Sequence, residues 1–166
     1  MSKRDREENK MSGRIRARLT ELAITLPSAA PPIASYVPFT RSGNTVYISG
    51  QIPRNAEGKP IVGTVGKDTP VEAAAEAAKI CAISIVAQLN AACDGDLDRV
   101  KQFLKLGVFV NCTPDFTQHP TVGNGASDTL VAIFGDKGKH ARSAVGTSSL
   151  PLGVCVEVDA IVEIEP

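Results

Sequence analysis

The sequence has no tryptophan, and aromatic residues make up only 4% of its 166 residues. Neither sign of charge is in excess, with 18 basic and 18 acidic side chains. Proteins that hold nucleic acid combine a basic face with aromatic platforms for the bases. Both are scarce here, so nucleic acid is not the expected partner. No apolar run approaches the ~20 residues that a bilayer-crossing helix needs, and no membrane span is expected. The N-terminus is charged and lacks the apolar stretch of a secretory signal. There are two histidines, His119 and His140, and four cysteines, Cys81, Cys93, Cys112 and Cys155, without a CxxC pair. Zinc normally takes three or four such ligands at recognisable spacings, so no metal is expected. Scattered cysteines in a chain without a signal read as buried, reduced thiols of a cytoplasmic protein.

Hydrophobic residues make up 43% of the chain, enough for the core of one domain. The polar run 1–12 reads as a disordered tail and 13–166 as a single domain. Ile15, Leu19 and Leu22 recur at helical spacing and predict a short helix over 13–24. Pro27, Pro31 and Pro32 then enforce an extended connector. Residues 36–40 and 45–49 read as a hairpin about Gly43-Asn44, and 54–68 as an irregular loop. Thr69, Pro70 and Glu72 form a capping-box pattern that opens a long alanine-rich helix to about Ala92. Its expected buried stripe is Ile80, Ile83, Val86 and Leu89. Residues 100–110 read as a central strand, with Leu104, Leu106, Val108 and Val110 in one row. A second helix is predicted over 124–134, with Leu130, Val131 and Phe134 buried, and two final strands over 142–149 and 154–164. The order predicts an α+β domain whose mixed sheet has helices on one face. In the last strand Val154, Val156, Val158, Ala160 and Val162 suit the covered face. Cys155, Glu157, Asp159 and Ile161 take the other.

Two residues on those final strands carry the chemistry. Arg142 offers a planar fork of donors that grips a carboxylate, and Glu157 can orient or deprotonate a water. If residues 150–153 form a tight hairpin, Gly146 pairs with Glu157 and Arg142 with Ile161. Arg142, Ala144, Gly146, Glu157 and Asp159 would then share one face, with Arg142 and Glu157 about 13 Å apart along the strands. The alternative is that the two meet across a subunit boundary.

Three segments resemble the Rid (YjgF) family of reactive intermediate deaminases. They are Ser35-Tyr36-Val37 with Ile48-Ser49-Gly50-Gln51-Ile52-Pro53; Val100 to Val110 with Asp115-Phe116; and Ala141-Arg142-Ser143-Ala144-Val145 with Leu150-Pro151 and the 156–161 strand. The resemblance implies a chorismate-mutase-like fold with two covering helices, to which the 13–24 helix would be an addition. It also implies a homotrimer with ligand clefts between subunits. The activity it implies is hydrolysis of 2-imino acids to 2-keto acids and ammonia. On that match Arg142 holds the substrate carboxylate and Glu157 positions water. Tyr36 lines the cleft, Ser49 and Asn124 fall near other lining positions, and Ala144 stands where better-known members have cysteine. An iminium carbon is already electron-poor, so no cofactor is called for. The partner is then a small carboxylate-bearing metabolite, a 2-imino or 2-keto acid. Two rival readings remain: a non-catalytic binder of small carboxylates, and an endoribonuclease, which the neutral charge weakens. The longer connection at 113–123 departs from the family pattern.

Overall fold

A parallel pair of strands at one rim organises the rest of the sheet. The computed structural model describes residues 13–29 and 35–166. The expected tail at 1–12 and much of the proline connector lie outside these residues. Helix α1 spans Arg14–Glu21, strands β1 and β2 span Phe39–Ser42 and Thr45–Gln51, and helix α2 spans Val71–Ala92. Strand β3 (Val100–Asn111), helix α3 (His119–Phe134), strand β4 (Ala141–Thr147) and strand β5 (Val156–Ile164) follow. The strand order is β1-β2-β5-β3-β4. Only β3 and β4 are parallel; the other neighbours are antiparallel. This is the expected α+β architecture, with α2 and α3 over one face and α1 packed beside them.

The expected hairpin between the last two strands does not form. β4 is an edge strand beside β3, and β5 lies on the far side of β3. The chain crosses over through a 3-10 turn at Pro151–Gly153, where Leu152 (φ 57°) and Gly153 (φ 72°) both adopt left-handed backbone. The physical reason is α3: a helix between two strands lets them run parallel as neighbours, which a short turn cannot do.

The core fills the space between the sheet and its helices, with Ile85 and Leu89 of α2, Leu130 of α3, and Phe103, Leu106 and Val108 of β3 fully buried. The rings of Phe103 and Phe134 meet at 5.1 Å. Val154, Val156, Val158, Ala160 and Val162 are all buried, as the alternation predicts. Two expected rows need correction. A register shift between Phe103 and Lys105 turns Phe103 inward and leaves Leu104 39% exposed. On α2 the buried face is Ala74, Ala77, Ala78, Cys81, Ala82 and Ile85, continuing to Leu89, whereas Ile80 and Ile83 are only half-buried. Small residues let α2 sit close. At Gly125 of α3 an added Cβ would lie 1.9 Å from the carbonyl oxygen of Ala75.

The helix ends also differ from expectation. α2 begins at Val71, with Pro70 as its N-cap and no side-chain cap. The Thr69 hydroxyl donates instead to Asp68 at 3.0 Å, so the capping box does not form. α3 starts five residues early, because Pro120 belongs to its first turn, where a missing N–H is harmless. Its buried side includes Ile133, while Val131 is half-buried. α1 follows Gly13, which has no side chain to cap with. The carboxylate of Asp98, in the turn after α2, accepts from the backbone N–H groups of Arg14 (2.9 Å) and Ile15 (2.8 Å). Ile15 and Leu19 are buried in the common core.

Candidate functional site

The strand register separates Arg142 from Glu157. Leu106 lies opposite both Arg142 and Ala160, and Phe109 lies opposite both Val145 and Glu157. Alternation along β3 therefore puts Arg142, Ala144 and Gly146 on the helix-covered face, and Glu157 and Asp159 on the open one. The single-face arrangement expected from a hairpin is incorrect. Two half-sites replace it.

The first half-site is built where β4 meets α3. Nη1 of Arg142 donates to Asn124 Oδ1 (3.1 Å) and Ser127 Oγ (3.0 Å), and Nη2 donates to the Pro120 carbonyl (3.4 Å). Gly123 makes room, since a Cβ there would lie 3.0 Å from the guanidinium carbon. All three acceptors are neutral. Among the described residues no carboxylate lies within ion-pair distance of Arg142. The guanidinium is thus oriented but keeps its charge uncompensated. Ala144 is half-buried on the same face. Ser127 was not foreseen, although it stands one helical turn from Asn124, a spacing that brings side chains together. Behind Ser127 lies His140. Its Nδ1 is 2.7 Å from the Gly138 carbonyl, which can only accept, so Nδ1 carries the proton. Nε2 is then free to accept from the Ser127 hydroxyl at 2.8 Å. Burial lowers the His140 pKa most, and the nearby Arg142 lowers it too, against the Gly138 contact that raises it.

The second half-site opens where β2 parts from β5. The ladder between them shifts register between Ile48 and Gln51, and Gly50 lies in the shift. A Cβ on Gly50 would lie 2.0 Å from Oε1 of Glu157, so the carboxylate rests directly on the β2 backbone. Burial raises the Glu157 pKa above its ordinary value, and the neighbouring Asp159 raises it further. No cation lies within ion-pair distance of Glu157 among the described residues. Asp159 is raised by burial too, partly offset by the Gly107 backbone and by Lys105. Glu157 lines a cleft of about 800 Å³ together with Tyr36, Ser49, Gly50, Ile80 and Ile83. Tyr36 is 51% exposed, and the Ser49 hydroxyl donates to the Val37 carbonyl at 2.7 Å. Tyr36, Ser49 and Glu157 therefore gather in one place, and Arg142, Asn124 and Ala144 in another.

Between the half-sites the open face is partly apolar. It carries Tyr47, Phe109, Val145 and Ile161 beside Lys105 and Asp159, with Tyr47 and Val145 exposed. Among the described residues no three His, Cys, Asp or Glu side chains cluster as metal ligands, and no helix is long and apolar enough to cross a membrane.

The family described as "YjgF/chorismate_mutase-like, putative endoribonuclease" matches residues 16–164. Protein TCP17 of Trypanosoma cruzi is 48% identical over 154 residues, covering 92% of this chain and 96% of that protein. The crystal structure of Atu1372 from Agrobacterium tumefaciens, described as of unknown function, superposes with a TM-score of 0.84 at 47% identity. That match covers 91% of this chain and 94% of that one. A 2-iminobutanoate/2-iminopropanoate deaminase of Dermatophagoides farinae is 28% identical, covering 86% of this chain and 95% of that protein.

Proposed function

Because the chain belongs to the YjgF/chorismate mutase-like family, we propose that it hydrolyses 2-imino acids to 2-keto acids and ammonium, at sites completed between subunits of a homotrimer. The observation that carries this reading is the pair of uncompensated opposite charges on opposite faces of one sheet. A guanidinium held only by neutral acceptors is ready for an anion, and a half-buried carboxylate without a cation is ready for a proton. Leaving either charge without a partner in a low-dielectric interface is costly. A second copy set against the β4 rim would bring its Glu157 half-site to this Arg142, and the apolar open face favours such packing.

In that site Arg142 clamps the substrate carboxylate, oriented by Asn124 and Ser127 of its own chain, and the other subunit supplies Tyr36, Ser49 and Glu157. Tyr36 and Ser49 border the imine carbon. Glu157 accepts a proton from water as the oxygen adds to C2, giving a carbinolamine. Glu157 then returns that proton to the nitrogen, the C–N bond breaks as the C=O bond forms, and the carbinolamine O–H proton passes to the departing ammonia, which leaves as ammonium. One water is consumed, and the iminium R–C(=NH2+)–COO⁻ becomes R–CO–COO⁻ plus NH4+. The raised pKa suits Glu157 to this exchange, since a base works best when its pKa lies near the working pH.

The test is kinetic. An L-amino-acid oxidase generates the imine in the presence of semicarbazide, and loss of trapped imine is followed with and without the protein. Wild type should speed hydrolysis, and Arg142→Ala and Glu157→Gln should each lose about 10²-fold or more. Equal rates for wild type and both variants would end the proposal.

A further inference from the structure

The cleft beside Glu157 is larger than imine hydrolysis of a small substrate needs. Its volume is about 800 Å³. A three-carbon 2-imino acid has six heavy atoms, and at the ~30 Å³ each water takes in the liquid it would fill under ~200 Å³. Away from Glu157 much of the lining is apolar, although Gln51, Arg54 and Asn55 also border the space. α2 supplies Ile80, Ile83, Ser84, Ala87 and Gln88, a spacing of i, i+3, i+4, i+7 and i+8 that makes one helical face. Ile52 and Leu152 line the same space. This face explains why Ile80 and Ile83 are only half-buried: they turn toward the cleft and not toward the sheet.

Ser84 and Gln88 are the polar members of that helical face, and Gln88 is the buried one. It is 2% exposed, and its carbonyl oxygen has no hydrogen-bond partner. Buried polar groups in folded proteins are almost always paired. The oxygen is closed to solvent as it stands, so a donor that enters the cleft meets it when the Gln88 amide turns toward the cleft.

We infer that this chamber is the side-chain pocket of the site, and that the substrate is a 2-imino acid whose bulky apolar side chain ends in a hydrogen-bond donor received by Gln88 Oε1. The inference rests on the imine-hydrolase reading and adds the substrate class to it. Glu157 stands at the reacting carbon, the isoleucines of α2 enclose the apolar stem, and Gln88 reads its tip. A site built to bond a substrate hydroxyl discriminates strongly against the analogue lacking it.

Imines generated in situ from alanine, phenylalanine and tyrosine test this, with kcat/KM measured for each. Wild type should prefer the phenylalanine-derived imine to the alanine-derived one by about tenfold or more, and the tyrosine-derived imine to both. Ile83→Trp fills the chamber and should lower the phenylalanine-to-alanine ratio about tenfold. Gln88→Leu should lower the tyrosine-to-phenylalanine ratio by a similar factor. A wild-type preference for the alanine-derived imine, or ratios that neither variant moves, overturns the inference. Calorimetric binding of pyruvate, phenylpyruvate and 4-hydroxyphenylpyruvate separates the two claims. If no imine is hydrolysed, the hydrolase reading fails and the pocket is judged by binding alone. Tighter binding of the hydroxylated acid, lost in Gln88→Leu, keeps the pocket; equal binding of all three removes it.

Discussion

Gly50 and Glu157 are fitted to each other across the β2–β5 boundary: the glycine lacks the one carbon that would collide with the carboxylate. Gly50 does not adopt left-handed backbone, so alanine is conformationally tolerable there and its effect falls on the carboxylate. Gly50→Ala should displace Glu157 and lower kcat for imine hydrolysis about 10²-fold, with a smaller change in KM. A variant as active as wild type would mean that the carboxylate needs no fixed seat.

Sites shared between subunits can be repaired by mixing. Arg142→Ala and Glu157→Gln, each inactive alone, should regain about one quarter of wild-type activity when unfolded and refolded together at equal amounts, because that fraction of interfaces pairs an intact arginine with an intact glutamate. Activity that stays at the level of the separate variants would place both residues in one subunit's chemistry, or in none.

The elevated Glu157 pKa has a definite consequence for stability. Its ordinary value is 4.5, and burial raises it in the folded state. The folded protein therefore binds this proton more tightly than the unfolded chain does. The group's contribution to stability is fullest below pH 4.5 and declines as the pH rises through the folded value. Glu157→Gln should thus raise Tm at pH 8, at about 2–4 °C per kcal/mol gained, while abolishing hydrolysis. The gain should vanish near pH 4. A lower Tm at pH 8 would show that the ionised carboxylate has a stabilising partner.

Asp98 caps a helix 84 residues away in sequence. Asp98→Ala removes the acceptor for two N–H groups and should cost about 1 kcal/mol, or about 2–4 °C in Tm. Trypsin should also cut sooner at Arg14, Arg16 and Arg18, since α1 would fray from its first turn. An unchanged digestion pattern would show that Ile15 and Leu19 hold α1 without the cap.

Much of this was legible in the sequence, and each miss has its own physical cause. The alternation over 154–162 placed five valine and alanine side chains inward because a strand buried on one face has a period of two. Arg142, Glu157, Tyr36, Ser49, Asn124 and Ala144 were singled out individually, but how they group depends on strand order. The β3–α3–β4 order already signalled a parallel pair, which would have moved β4 away from β5. The Ile80 and Ile83 stripe was misassigned because an apolar side chain in a cleft looks the same in sequence as one in a core. The capping box failed for a local reason: Asp68 takes the Thr69 hydroxyl first. Asp98 and Ser127 were missed because their partners are distant in the chain.

β4 runs along the outer rim of the sheet, where one flank of its amides and carbonyls has no strand beside it among the described residues. A naked flank of this kind recruits other strands indiscriminately. A solitary copy would therefore be worse than idle: the ledge that bears its anion clamp would also be a weak point against clumping.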